Sequence, residues 1–232
     1  MRQLPLGVQL RVMLRFASFD PGASPAAVGA LQRAAAGAGP ALLWLHGPPG
    51  VGRTHLLQAT CADAGEHGRR VAYLPLAELR DQPADLLAGL EDLDLVALDD
   101  LQQIAGRADW EGALFTLYND LSERRGSLVC AADAPPAGLP FALRDLASRL
   151  AALTVFRLQP LSEAQQAGAL RRRAGLRGLE LPDEVLQYLL RRAPRDFAAL
   201  CRLLDELDTE ALAARRRLTV PFVRTVLARG PD

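Results

Sequence analysis

The sequence contains no lysine, because all 27 of its basic residues are arginine. We attribute this to a GC-rich coding bias, so a single arginine at a position that usually holds lysine is weak grounds for inferring lost function. Acidic residues also number 27, and the net charge is zero. This balance excludes a global electric field that would attract nucleic acid or an anionic membrane.

Cysteine is scarce, and long apolar runs are absent. The three cysteines, Cys61, Cys130 and Cys201, lie far apart and lack metal-ligand spacing, which predicts buried free thiols in a reducing cytosol. The N-terminus has no apolar core of a signal peptide, and no run approaches membrane length. We therefore expect a soluble, cytoplasmic protein with no membrane partner.

Half of the 232 residues are apolar, which is enough for one α/β domain with a small appendage. Apolar runs typical of buried strands alternate with helical patterns. The predicted strands are 41–46, 71–76, 93–100, 127–133 and 154–160, and the predicted helices between them are 26–36, 53–64, 109–124 and 140–150. This alternation predicts an α/β fold, a parallel sheet with helices on both faces.

Beyond Pro160 the pattern becomes purely helical, over 162–174, 182–192, 195–214 and 219–228. Helix-start signals such as Ser162 and Pro182 support these boundaries. We expect three parts: an N-terminal tail (1–15), an α/β domain (16–160) and a small all-α lid domain (161–232).

The stretch GPPGVGRT, from Gly47 to Thr54, follows a predicted strand and opens a predicted helix, as a phosphate-binding loop requires. Glycines let backbone N–H groups converge on an anion, and the helix N-terminus adds positive potential. Arg53 stands where such loops carry lysine, so we expect diphosphate binding to survive and intrinsic hydrolysis to be slow. The residues predicted to contact nucleotide here are Gly47, Gly50, Val51, Gly52, Arg53, Thr54 and His55.

Acidic residues close two of the predicted strands. Asp99 is expected to hold Mg²⁺ together with the Thr54 hydroxyl, and Asp100 to polarise an attacking water. Asp133 follows the fourth strand, where it either orients water or simply starts the turn before Ala134.

Two arginines and the tail carry weaker signals. Arg149, in a short predicted helix, fits either an arginine finger acting on a neighbour's nucleotide or an ordinary exposed arginine. Arg195 opens the long lid helix, where it either reaches bound phosphates or lies on the surface. Gln3, Leu4 and Leu6 suit capture in an apolar groove of a partner, and the alternative is a disordered start.

These motifs together resemble the AAA+ ATPases and, within them, the DnaA initiator family. LHGPPGVGRTHLLQA, LVALDDLQ, LASRL and LTVPFVRTVL stand in the order and spacing of that family's central domain and lid. The tail, Arg53 and the stretches ASFDPG, LQPLS and LRGLELPDEV further resemble the Hda family of DnaA-related regulatory inactivators. On this resemblance we expect neither the separate N-terminal domain nor the DNA-reading helix-turn-helix domain of an initiator.

The resemblance implies a negative regulator of replication initiation rather than an enzyme in its own right. It implies ADP as ligand, with ATP or another nucleoside diphosphate as alternatives, and Mg²⁺ as a companion ion. It implies two partners, DnaA and the β sliding clamp of DNA polymerase III, with DNA reached only through the loaded clamp. Clamp binding would fall to Gln3, Leu4 and Leu6, the finger role to Arg149, and the sensor roles to Asp133 and Arg195.

Two other functions stay open at this point, as does self-association. One is a conventional AAA+ ATPase such as a helicase-loader-like motor, favoured by Thr54 and the intact acid pair Asp99 and Asp100. The other is a non-enzymatic adaptor that uses the nucleotide fold only as a scaffold. Direct DNA binding ranks last because the net charge is zero.

Overall fold

The structure is a computed structural model, which describes residues 14–22, 24–39, 41–192, 197–214 and 216–229. The chain divides into two compact units, with the main boundary between Gln159 and Pro160. The first unit contains the chain up to Gln159 except for Pro49–Val51, and the second contains those three residues and the chain from Pro160. Within these ranges no helix is long and apolar enough to cross a membrane.

The first unit is built on a five-stranded parallel sheet, which confirms the predicted fold class. Its strands are β1 (Leu42–His46), β2 (Val71–Pro75), β3 (Leu95–Asp99), β4 (Ser127–Ala132) and β5 (Thr154–Arg157). Their spatial order is β2-β3-β4-β1-β5, and every pairing is parallel. The carboxyl ends of β1, β3 and β4 therefore meet at one edge of the sheet, where the predicted site residues follow them.

Five helices accompany the described strands of this unit: α1 (Pro25–Ala35), α2 (Arg53–Glu66), α3 (Leu76–Leu79), α4 (Ala108–Glu123) and α5 (Arg144–Ala151). Short 3₁₀ turns occupy Phe16–Ser18, Ala84–Leu87, Leu90–Asp92, Leu101–Gln103 and Pro136–Gly138. The sequence pattern missed α3. It also started α5 too early, since Leu143 is still extended, and it ended β5 three residues too late.

Burial explains why the central strands read as continuous apolar runs. Every residue of β3 and β4 is buried, because neighbouring strands flank both and helices cover the sheet. The buried side chains of α4 recur at helical spacing and pack into this core; they are Trp110, Leu114, Leu117, Tyr118 and Leu121. On α5, Leu146 and Leu150 join the same core one helical turn apart.

The described part of the second unit holds four helices, as predicted: α6 (Glu163–Leu176), α7 (Asp183–Arg192), α8 (Phe197–Ala214) and α9 (Val220–Arg229). A capping box between Ser162 and Gln165 starts α6. Leucines on α6, α7 and α8 form a separate core, and Asp205 on α8 receives hydrogen bonds from both Arg173 and Arg177.

Two of the three cysteines match the expectation of buried thiols. Cys61 and Cys130 are buried, whereas Cys201 is only half-buried on α8. All three are free, and burial raises the pKa of the Cys61 thiol to about 12.

Candidate functional site

The loop between β1 and α2 has a backbone that only glycine adopts readily. Gly52 caps the N-terminus of α2 with φ 95° and ψ 23°, in the left-handed region. A Cβ atom at this position would lie 2.6 Å from Cε2 of Phe19. Conformation and space thus both require glycine here, at the N-terminus of a helix, where backbone N–H groups favour an anion.

Arg53 begins α2 and turns back toward the loop. Its Nη1 donates a hydrogen bond to the Gly47 carbonyl at 2.8 Å, and its Nη2 lies 3.5 Å from Oδ1 of Asp100. Only 12% of the side chain is exposed. The guanidinium therefore bridges the start of the phosphate loop and the acid that follows β3, so part of its hydrogen-bonding capacity is already engaged within the protein.

Asp99 ends β3 and is almost completely buried at 1% exposure. Its carboxylate accepts hydrogen bonds from the Tyr73 hydroxyl and the Asp100 backbone N–H, each at 3.0 Å. Burial raises the pKa of Asp99, and the Asp100 charge raises it further, whereas the Thr54 and Tyr73 hydroxyls and the Arg53 charge act in the opposite direction. The carboxylate therefore lies near the first turn of α2, which carries Thr54.

Asp100 adopts a left-handed backbone, with φ 57° and ψ 48°, that Asp tolerates better than most residues. Besides lying near Arg53, its Oδ1 accepts a hydrogen bond from Nε2 of Gln102 at 2.9 Å. The side-chain oxygen Oε1 of Gln102 in turn accepts a hydrogen bond from the Asp133 backbone N–H at 3.3 Å. Gln102 thus connects the acid after β3 to the residue after β4, while the Asp133 side chain is exposed.

His55 contacts the segment that precedes α1. Its Nε2 lies 2.9 Å from the Arg15 carbonyl and 3.3 Å from the Ser18 hydroxyl, and its ring packs edge-on against Phe19 at a centroid distance of 5.3 Å. An ion pair between Arg15 and Glu66 fastens the same segment to the far end of α2. The segment at residues 15–19 is therefore seated along α2.

Arg149 lies on the last turn of α5 and is exposed. Its guanidinium makes no hydrogen bond or ion pair with the described residues, while the neighbouring Leu146 and Leu150 hold the helix on the core. The guanidinium is thus not enclosed by its own unit. The other predicted site residues, Arg195, Gln3, Leu4 and Leu6, lie outside the described residues.

The structure brings together Arg53, Thr54, Asp99 and Asp100, and it reaches Asp133 through Gln102. A buried cation, a hydroxyl and two carboxylates beside a helix N-terminus suit a phosphate chain with its companion Mg²⁺. In the described part of the chain no three His, Cys, Asp or Glu residues cluster as a metal cage. Thr54 and Asp99 therefore fit a Mg²⁺ that takes its other ligands from phosphates and water.

Sequence reasoning missed three contributors to this site: Tyr73, Gln102 and Phe19. A tyrosine in an otherwise apolar strand was a usable signal, because a buried phenol needs a hydrogen-bond partner. Gln102 and Phe19 carried no comparable signal, since their roles depend on contacts across the fold.

Two family models match the chain. The model described as the bacterial DnaA ATPase domain matches residues 13–155, and the model described as Hda, lid domain matches residues 163–227. The first therefore spans more than half of the 232 residues, and the second spans most of the helical unit.

Solved structures show the same fold at low sequence identity. Domain III of the replication initiation protein DnaA from Thermotoga maritima is 23% identical with a TM-score of 0.75, covering 94% of this chain and 98% of that one. AMPPCP-bound DnaA from Aquifex aeolicus is 23% identical with a TM-score of 0.73, covering 86% of this chain and 66% of that one. The RuvB Holliday junction branch migration motor from Thermotoga maritima is more distant, at 17% identity and a TM-score of 0.62, covering 93% of this chain and 72% of that one.

Proposed function

The chain belongs to the family of the bacterial DnaA ATPase domain and carries an Hda-type lid, and from this membership we propose that it is a negative regulator of replication initiation. In this proposal it binds ADP, docks on the DNA-loaded β sliding clamp, and stimulates hydrolysis of the ATP held by DnaA. It acts as a nucleotide-binding AAA+ regulator that supplies a guanidinium to the ATP site of another protein molecule.

We propose that ADP binds at the N-terminus of α2. The left-handed Gly52 opens the loop toward the diphosphate, and Arg53, 12% exposed, supplies positive charge beside it. Thr54 and Asp99 hold Mg²⁺ there. The related DnaA of Aquifex aeolicus is described as bound to AMPPCP, which supports an adenine nucleotide.

The protein's own hydrolysis is proposed to be slow. An acid that polarises water must be free to accept its proton or hydrogen bond. The Asp100 carboxylate instead lies 3.5 Å from the Arg53 guanidinium and accepts a hydrogen bond from Gln102. A nucleotide held in this way sets the conformation of the protein and is turned over rarely.

The observation that carries the proposal is the exposed Arg149 on α5, with no partner among the described residues. A guanidinium presented across an AAA+ interface would stabilise the charge that develops on the transferred phosphoryl group of DnaA-bound ATP. Fingers of this kind accelerate hydrolysis by roughly a thousandfold or more.

We propose that Gln3, Leu4 and Leu6 bind the sliding clamp. This assignment comes from the sequence, because these residues lie outside the described part of the chain. A variant with Gln3→Ala and Leu4→Ala should lose clamp binding in a co-elution assay and keep its affinity for ADP. Full clamp affinity in this variant would place the contact elsewhere.

The finger role is tested by measuring hydrolysis of DnaA-bound ATP with clamp-loaded DNA. Arg149→Ala should lower the stimulated rate by roughly a thousandfold. Arg33→Ala is a matched control, because Arg33 is also an exposed arginine in the last turn of a helix. If Arg149→Ala stimulates as well as wild type, the finger assignment is wrong.

A second candidate function is a conventional AAA+ ATPase or helicase-loader-like motor. It is favoured by the position of the buried Asp99 carboxylate near the Thr54 hydroxyl, since a hydroxyl and an acid of this kind hold Mg²⁺ in hydrolytic sites. Appreciable ATP turnover by the isolated protein would favour this candidate. Failure to bind any adenine nucleotide would instead favour a non-enzymatic adaptor.

A further inference from the structure

One buried carboxylate lies outside the candidate nucleotide site and has no cationic partner among the described residues. Glu111, near the start of α4, is completely buried at 0% exposure. A charged group in such a position is costly unless hydrogen bonds replace its hydration. The hydrogen-bond donors around the Glu111 carboxylate therefore indicate the role of this residue.

Backbone N–H groups from two separate turns supply those hydrogen bonds. Glu111 Oε1 accepts from Gly106 N at 2.6 Å and from Ala142 N at 3.1 Å, and Oε2 accepts from Leu143 N at 2.7 Å. All three are charge-assisted bonds to a carboxylate, roughly twice as strong as neutral ones. One side chain thus ties together two loops that are more than 30 residues apart in sequence.

The second of these turns leads directly into the helix that carries Arg149. Leu143 is the N-cap residue of α5, and its own side chain makes no capping hydrogen bond. Because the N-terminal end of a helix is positive, the Glu111 carboxylate beside it is favourable. Glu111 therefore anchors the N-terminal end of α5.

The first turn follows the acid pair of the candidate nucleotide site. From Asp100 the chain passes through the 3₁₀ turn Leu101–Gln103 and reaches Gly106. Gly106 has φ 85°, and a Cβ there would lie 3.6 Å from the Pro140 carbonyl oxygen, so the two turns are close neighbours. The Glu111 bonds hold these two turns in a fixed relation.

Without this anchor, α5 would be held mainly along one stripe. The helix has eight residues, and its buried side chains are Leu146 and Leu150. Side-chain contacts along one face of a helix prevent the helix from sliding more effectively than they prevent it from tilting. Arg149 lies six residues from Leu143, about 9 Å along the helix axis. A tilt of about 10° would move it by roughly 1.5 Å, and a misplacement of about 1 Å can reduce a rate by about a hundredfold.

We infer that Glu111 is a positioning residue, which sets the orientation of α5 and thereby directs Arg149 toward the ATP bound to DnaA. This inference rests on the proposed finger function of Arg149. Because the side chain of Glu111, within the described part of the chain, bonds only to backbone N–H groups of these two turns, it acts through the helix it anchors.

The test uses the full-length protein with clamp-loaded DNA and DnaA-bound ATP, with rates normalised to the concentration of ADP-binding protein. Glu111→Gln keeps the shape of the side chain but places an NH₂ group where one oxygen accepts a hydrogen bond. We expect the maximal stimulated rate to fall by about tenfold to a hundredfold, with little change in the half-saturating concentration.

Two comparisons separate positioning from general destabilisation. Ser127→Ala is the matched control, because the buried Ser127 hydroxyl also accepts a backbone N–H, that of Ala41, but at the opposite end of the sheet. It should leave stimulation unchanged. In an Arg149→Ala background, Glu111→Gln should cause no further loss, since residues that act through one group are not additive.

Each outcome decides one of the two proposals. If Arg149→Ala abolishes stimulation and Glu111→Gln does not reduce it, the positioning inference is wrong and the finger survives. If Arg149→Ala has no effect, the finger role itself fails. Hydrogen exchange of the wild-type protein gives an independent check that needs no variant: the Ala142 and Leu143 amides should be protected, and exchange at the rate of an open chain would overturn the inference.

Discussion

Replacing Gly52 with alanine tests the geometry of the phosphate loop most directly. This residue caps α2 in the left-handed region at φ 95°, and the Phe19 ring occupies the space that a Cβ would need. The substitution adds a single methyl group and changes no charge. Any effect on stability or nucleotide affinity therefore comes from backbone conformation and space.

The expected cost has two parts. A left-handed conformation costs a residue other than glycine about 1–2 kcal/mol. The new Cβ would also meet Phe19 Cε2 at 2.6 Å, whereas ordinary contacts begin near 3.4 Å, so the ring must move by almost 1 Å. Overpacking of this kind costs about 1–3 kcal/mol, and a shift of the half-buried Phe19 ring relieves part of that cost. We expect a total loss of about 2–3 kcal/mol.

Thermal denaturation and titration with a fluorescent ADP analogue measure the two consequences. At about 2–4 °C per kcal/mol for a protein of this size, the melting temperature should fall by roughly 4–12 °C, and ADP affinity should fall with it. Gly65→Ala is the matched control: Gly65 lies in the same helix, has no atom within 4 Å of its added Cβ, and should be neutral or slightly stabilising. Adding Phe19→Leu to Gly52→Ala should recover the steric part and leave the backbone part.

The reasoning would be refuted by a Gly52→Ala protein with wild-type stability and wild-type ADP affinity. A stability loss that Phe19→Leu does not relieve would refute only the steric part.

Three further predictions concern the same chain. Arg53→Lys should raise the intrinsic rate of ATP hydrolysis in a phosphate-release assay, because a lysine cannot hold both the Gly47 carbonyl and Asp100. An unchanged rate would count against the proposal that the contact between Arg53 and Asp100 slows hydrolysis. Asp205→Ala should destabilise the lid by about 1–3 kcal/mol in denaturation experiments, since it removes the carboxylate that pairs with Arg173 and leaves Arg177 only its longer ion pair with Asp208, and a loss below about 0.5 kcal/mol would contradict this. Burial and the charges of Arg157 and Arg53 lower the pKa of His46 below 6.5, so the unfolded chain takes up a proton first and stability should fall as the pH drops through and below 6.5. His46→Gln should flatten this part of the stability profile, and an identical slope in wild type and variant would argue against it.

Local patterns in the sequence were sufficient to predict most of the fold. The buried runs that became β3 and β4 lie between two strands, and their apolar composition follows from burial on both faces. The stripe from Trp110 to Leu121 predicted α4 because a helix repeats every 3.6 residues. Errors occurred at element ends, as at Leu143, the extended residue before α5, whose backbone N–H donates a hydrogen bond to the distant Glu111 rather than to a nearby residue.

The sequence also determined the chemistry of the candidate site, because a phosphate loop needs Gly52 for its backbone and Thr54 for its hydroxyl at fixed spacing along the chain. Tertiary structure alone decided the rest. The Arg53–Asp100 bridge, the Gln102 link to Asp133 and the Glu111 anchor all join residues from different strands, turns and helices. Such contacts depend on the order and register of the parallel strands, which no local sequence pattern encodes.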